Sequence, residues 1–90
     1  MKKYELKGQC ITIPKLKGID EYEMYLLNKL FTFCLIEDSI SFHIMILELH
    51  LYSNVNGIIF KEKDSEFFFV VSFKKYRFCV DKVNNTVTVY

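Results

Sequence analysis

With 90 residues and a formal net charge of +1, the chain is expected to form one domain (1–90), and its charge disfavours both a DNA-coating protein and an acidic mimic of nucleic acid. Nine Phe and six Tyr can bury on the order of 3,000 Å², enough for a core at this size without a metal or a disulfide scaffold. Ala and Trp are absent and Lys outnumbers Arg eleven to one, a bias expected of a small AT-rich gene from a low-GC bacterium or one of its mobile elements.

Residues 4–13 alternate loosely and stop at Pro14, which predicts a first strand at a sheet edge. Pro14 and Gly18 bracket a Lys-rich turn. Asp20 is placed to cap a helix from about 20 to 33, with Glu21 and Glu23 favourable in its first turn. Ile19, Tyr22, Leu26, Leu30 and Phe33 recur at steps of three and four. Met24, Leu27 and Phe31 widen that stripe, as in a helix lying across a sheet. Residues 40–52 read as a strand, because Leu47-Glu48-Leu49-His50-Leu51-Tyr52 alternates strictly and Phe42, Ile44 and Ile46 join the Glu48 side. A helix reading stays open, with Ser39 as its cap and Ser41, Glu48 and Tyr52 on one polar face.

Residues 53–57 have the composition of a turn, a strand runs from 57 to about 61, and Lys63-Asp64-Ser65 turns again. Residues 66–73 are the stretch that organises the rest. Phe67, Phe69, Val71 and Phe73 occupy one side and Phe68 and Val70 the other, the pattern of a middle strand covered on both faces. Lys74-Lys75 breaks the chain before Tyr76, Phe78 and Val80, which alternate with Arg77, Cys79 and Asp81. Residues 82–85 turn into a closing strand over 86–90. The expected fold is α+β, with a single helix packed on a curled antiparallel sheet of about five to six strands in the order β-α-β-β-β-β-β. This order resembles the layout of cystatin-like folds, a likeness of arrangement that carries no activity.

Residue types and spacings do not assemble a catalytic centre. His43 and His50 fall on opposite faces of a strand; on a helix they share one, with Glu48 not far round it, but a third ligand at metal spacing is missing. Cys10, Cys34 and Cys79 are odd in number, widely spaced and set among apolar neighbours, unlike a secreted disulfide framework. Buried cysteines behave as small hydrophobes, and none sits in a nucleophile motif. Gly8, Gly18 and Gly57 are too scattered for a phosphate loop. The acidic pairs at Glu37-Asp38 and around Glu62-Asp64-Glu66 lie in expected turns. We therefore expect no enzyme, no cofactor and no metal. No apolar h-region follows the N-terminal lysines and no run of about 18 apolar residues occurs, so a cytoplasmic setting away from the membrane is expected.

Two binding classes remain. Charge is zoned, at +4 over residues 1–17, −6 over 18–66 and +3 over 67–90. The first class is a non-enzymatic protein-interaction module, such as a phage- or mobile-element-encoded inhibitor that occludes a partner protein. One helix covers only one sheet face, so Tyr4, Tyr52, Phe68 and Tyr90 are the partner-binding candidates on the other. Zoned charge also allows a homodimer, basic end to acidic middle. The alternative is nucleic-acid contact by Lys74, Lys75, Tyr76 and Arg77, where cations interleave with an aromatic ring. Lys2, Lys3, Lys7, Lys15 and Lys17 would enlarge that basic face if the first strand lay beside it. The glycines of an RNA-recognition-motif signature are missing, which ranks this reading second.

Overall fold

A computed structural model of the chain describes residues 1–53, 59–62 and 68–90, with 59–62 described as backbone only. Its elements are β1 (Lys2–Glu5), α1 (Glu21–Leu35), α2 (Ser39–Ser53), β2 (Ile59–Glu62), β3 (Phe68–Phe73), β4 (Tyr76–Asp81) and β5 (Thr86–Val89). β2 to β5 form an antiparallel four-stranded meander, and β1 returns to pair antiparallel with the free edge of β5. The sheet order is β1-β5-β4-β3-β2. β3 is thus paired on both edges, while β4 holds the middle.

The expected single helix on a five- to six-stranded sheet is overturned by α2, and the likeness to a cystatin layout goes with it. Among the described residues the order is β-α-α-β-β-β-β. Residues 40–52 are helical although they alternate, for a physical reason. Residues two apart on a helix are separated by about 200°, so Leu49 turns into the core while Leu47 and Leu51 face outward. Strict alternation here comes from a helix that is apolar on two opposite sides. Its cap is Asp38, one residue before the expected Ser39: a carboxylate oxygen accepts the Ser41 N–H at 3.0 Å and the other accepts the Ser41 hydroxyl at 2.8 Å.

α1 begins as its sequence suggests. Asp20 Oδ1 accepts the Glu23 N–H at 2.7 Å and Glu23 Oε1 accepts the Asp20 N–H at 3.0 Å, a capping box. The helix ends in a Schellman turn. The Asp38 N–H donates to the Phe33 carbonyl at 2.9 Å and the Glu37 N–H to the Cys34 carbonyl at 3.3 Å, with Glu37 in the left-handed region at φ 63°. The tight link folds α2 back antiparallel on α1, bringing Ser53 beside Glu23.

α1 covers one face of the sheet, and α2 packs against α1. Val71, Phe73, Phe78, Val80, Val87 and Val89 are buried there with Leu26, Leu27, Leu30 and Phe31 of α1, and the Phe31 and Phe78 rings lie 4.9 Å apart. The predicted long first strand is short. It stops at Glu5, turns through Gly8 at φ 64°, and is followed by an irregular segment whose Ile11 and Ile13 are buried. Side chains of α1 hold that segment: Thr32 Oγ1 accepts the Ile11 N–H at 3.1 Å. Asn28 accepts the Ile13 N–H at 2.9 Å and donates to its carbonyl at 3.1 Å.

The expectation that both faces of the Phe-rich strand are covered is also corrected. Val71 and Phe73 are buried, but Phe68, Val70 and Ser72 on the reverse face are half-buried, beside exposed Arg77 and half-buried Cys79 and Thr88 of the paired strands. Alternation in β3 therefore separates a dry side from a partly wet one. The expected turns at 54–57 and 63–65, and Glu66 and Phe67, lie outside the described residues.

Candidate functional site

The buried polar groups belong to the fold. Glu23 is 3% exposed, and its carboxylate receives Lys74 Nζ at 2.7 Å, the Ser53 hydroxyl at 2.6 Å and the Asp20 N–H at 3.0 Å. Burial by itself raises its pKa; the bonds from Lys74, Ser53 and Asp20 outweigh burial and hold it below the ordinary carboxylate value. Beside it the Tyr52 hydroxyl donates to Asp20 Oδ2 at 3.0 Å, and the Tyr22 and Tyr52 rings meet edge to face at 4.6 Å. This knot joins the start of α1, the end of α2 and the β3–β4 turn. Each partner is consumed in holding another, and no buried side-chain nitrogen or oxygen among the described residues lacks a hydrogen-bond partner.

The remaining reactive groups stand apart. Cys34 is buried in the core, which pushes its thiol up to about 11; Cys10 is exposed and Cys79 half-buried, and all three are free. Among the described residues no group of three His, Cys, Asp or Glu is placed to hold a metal ion. His43 and His50 lie along one flank of α2, where His43 Nδ1–H donates to the Ser39 carbonyl at 2.6 Å. Glu48 lies on the opposite flank by helical rotation, about 160° from His50, so the expected nearness of acid and imidazole is not found.

The basic strip disperses. Lys74 sits in the turn between β3 and β4 at φ 53° and is drawn inward to Glu23 and to the Gly18 carbonyl at 3.1 Å. Lys75 lies over the Tyr76 ring, 5.5 Å from its centroid. The Tyr76 hydroxyl donates to the Lys17 carbonyl at 2.6 Å, with its ring against the core. Arg77 points to the reverse face of the sheet. β5 separates β4 from β1, so Lys2 and Lys3 do not extend the Lys74–Arg77 strip.

The four predicted partner-binding aromatics do not converge either. Tyr4 is half-buried against the core from the edge strand β1, and Tyr52 belongs to the polar knot. Phe68 opens β3 on the reverse face of the sheet. Tyr90 is exposed at the end of β5, its backbone exchanging bonds with Arg77 at 2.8 and 3.3 Å.

The surface that does converge was not visible in the strand reading of residues 40–52. α2 turns Phe42 and Leu49 inward with Met45 and Ile46 half-buried. On its opposite side Ile40 (74% exposed), Ile44 (47%), Leu47 (58%) and Leu51 (70%) form one line along the helix. Their steps of four, three and four residues repeat the spacing of a coiled-coil seam. Together they expose on the order of 400 Å² of apolar surface, the size at which patches on soluble proteins mark contact sites. Beside this line lies a shallow groove of about 340 Å³ between the helices, lined by Tyr22, Tyr25, Lys29, Phe33, Ile44 and Glu48, among others. Lys29 Nζ lies 5.2 Å from the centroid of the Tyr25 ring and 5.9 Å from that of Phe33. The sequence signal that could have located the surface was the 40-44-47-51 spacing, hidden because Leu49 and Ile46 between them are apolar too.

No helix among the described residues is long and apolar enough to cross a membrane. Comparison with protein-family models, with curated proteins and with solved structures finds no match to this chain.

Proposed function

We propose that this chain is a non-enzymatic protein-interaction module whose working surface is the outward face of α2, extended by the aromatic groove shared with α1. The observation that carries this reading is the exposure of Ile40, Ile44, Leu47 and Leu51 in a single line on a helix whose other side is already packed. Leaving four large aliphatic side chains in water forfeits about 1.5–3 kcal/mol for each one that a partner could bury. Their helical spacing fits an apolar helix or groove. Such a module acts by covering a partner's surface or by assembling with it, as an inhibitor encoded by a phage or mobile element would. Nucleic-acid contact is less well supported, because Lys74 is spent on Glu23 and Tyr76 on the core.

The test is capture with the tagged chain from a lysate of its source, run beside Leu47→Glu. A partner held by the native chain and lost by the variant, with unchanged circular dichroism, supports the reading. A partner retained equally by both places the contact elsewhere. Loss of one well-packed anchor is expected to weaken binding about 30-fold.

A further inference from the structure

We infer that the occupant of this face is a second copy of the same chain, with the two α2 helices packed antiparallel. The inference rests on the reading of that face as the working surface and names what sits on it. The seam is symmetric about the point between Met45 and Ile46. A reversed copy therefore sets Ile40 against Leu51 of the second copy and Ile44 against Leu47 of the second copy, and each layer is met twice. Every layer then pairs a β-branched isoleucine with a γ-branched leucine. A parallel pair would instead stack Ile on Ile and Leu on Leu. That pattern lacks the Ile-at-one-position, Leu-at-the-other alternation that selects parallel dimers, and it aligns the helix dipoles unfavourably.

Charge agrees with a second copy. The seam itself is uncharged, with His43 and His50 along one flank and Ser41 and Glu48 along the other. On the Glu48 flank the groove supplies Lys29, so each copy brings one carboxylate and one ammonium to that side and the pair is balanced. α2 carries no Lys or Arg, the residues with which an interfacial helix holds an anionic membrane, so a lipid surface is disfavoured as occupant. The stripe alone falls short of the roughly 800 Å² per partner of a standard interface. Tyr22 and Tyr25, both about half exposed and set at the groove, extend it on the same side. An interface of this composition gives a reversible dimer rather than a permanent one.

Sedimentation velocity of the purified full chain under reducing conditions, which prevents a disulfide through exposed Cys10, reads the result. The expected mass rises from 10.8 kDa toward twice that value between about 1 and 300 µM protein, a midpoint in the micromolar range. Leu47→Glu and Ile44→Lys, both at exposed positions, should each remain monomeric across that range with native circular dichroism. Mixed in equal amounts they should restore a heterodimer, because antiparallel packing sets the carboxylate introduced by Leu47→Glu in one chain against the ammonium introduced by Ile44→Lys in the other. A native chain that stays monomeric throughout overturns the inference, as does a dimer that survives Leu47→Glu. Failure of the mixture to associate overturns the antiparallel arrangement. A monomeric native chain would leave the docking reading standing, since that depends on Leu47-sensitive capture of a different protein.

Discussion

Glu23 shows how far one side chain's role depends on residues remote in sequence. Its place in the first turn of α1, facing the helix dipole and closing the capping box with Asp20, follows from local spacing. Its burial does not, because it is decided by Ser53 and Lys74, which lie 30 and 51 residues away. Removing its charge leaves the Lys74 ammonium, itself partly exposed, without its 2.7 Å ion-pair partner. Glu23→Gln should therefore destabilise the protein by about 2 kcal/mol, lowering the thermal midpoint by roughly 10 °C at this chain length. A double-mutant cycle with Lys74→Met in urea denaturation checks whether the loss belongs to the pair. The cysteines give a second residue-level test. Iodoacetamide should modify exposed Cys10 in the native protein and reach Cys34 only after unfolding, because burial keeps that thiol protonated; peptide mass spectrometry reads the order. A native protein alkylated at Cys34 as fast as at Cys10 would contradict the packing of α1.

Of the two helices, α1 is legible in the sequence and α2 is not. α1 has a cap, acidic residues in its first turn and a stripe at steps of three and four, and each signal has a single interpretation. α2 buries Phe42 and Leu49 on one side and exposes Ile40, Ile44, Leu47 and Leu51 on the other, so its apolar residues show no helical period and mimic a strand. Two substitutions on opposite sides of the helix should expose this duality. Leu49→Ala removes a fully buried side chain and should cost about 3 kcal/mol, whereas Leu47→Glu at an exposed site should stay within about 0.5 kcal/mol. Measured at protein concentrations well below the dimer midpoint, comparable losses at both positions would show that the outward face is covered within the monomer. The link between the helices allows a stabilising change. Glu37 holds φ 63° at the end of α1, a conformation that glycine adopts without steric cost, and its 3.7 Å contact with Lys82 is long and made from an exposed carboxylate, so it is worth little. Glu37→Gly should add about 0.5–1 kcal/mol of stability, visible as a higher urea midpoint.

Across the whole molecule, carboxylates tie segments together and make the fold acid-sensitive. Asp20 is held below its ordinary value of 3.8 chiefly by the Glu23 N–H, and Asp38 by the Ser41 N–H and hydroxyl. In Glu23 and Asp81, burial pushes the pKa up and hydrogen bonds prevail over it. The sign follows from proton uptake. With folded values below the ordinary 4.5 of Glu and 3.8 of Asp, the unfolded chain binds protons first as pH falls. Their contribution is complete above those values and is lost progressively below them. The thermal midpoint should therefore be flat from neutral pH to about 5 and fall steeply toward pH 3, with Glu23→Gln showing a shallower descent. The sequence by itself determined the class of this protein, the α1 cap and stripe, and the run of strands from residue 68 onward, because those features are written in contacts between near neighbours or in a single clean period. Only the tertiary structure decided that residues 39–53 are a helix, that Lys74 turns inward and that the exposed apolar line lies on α2. The helix and its exposed line are set by which side of the element meets the core, which local spacing does not decide when both sides are apolar, and the turn of Lys74 is set by Glu23, 51 residues away.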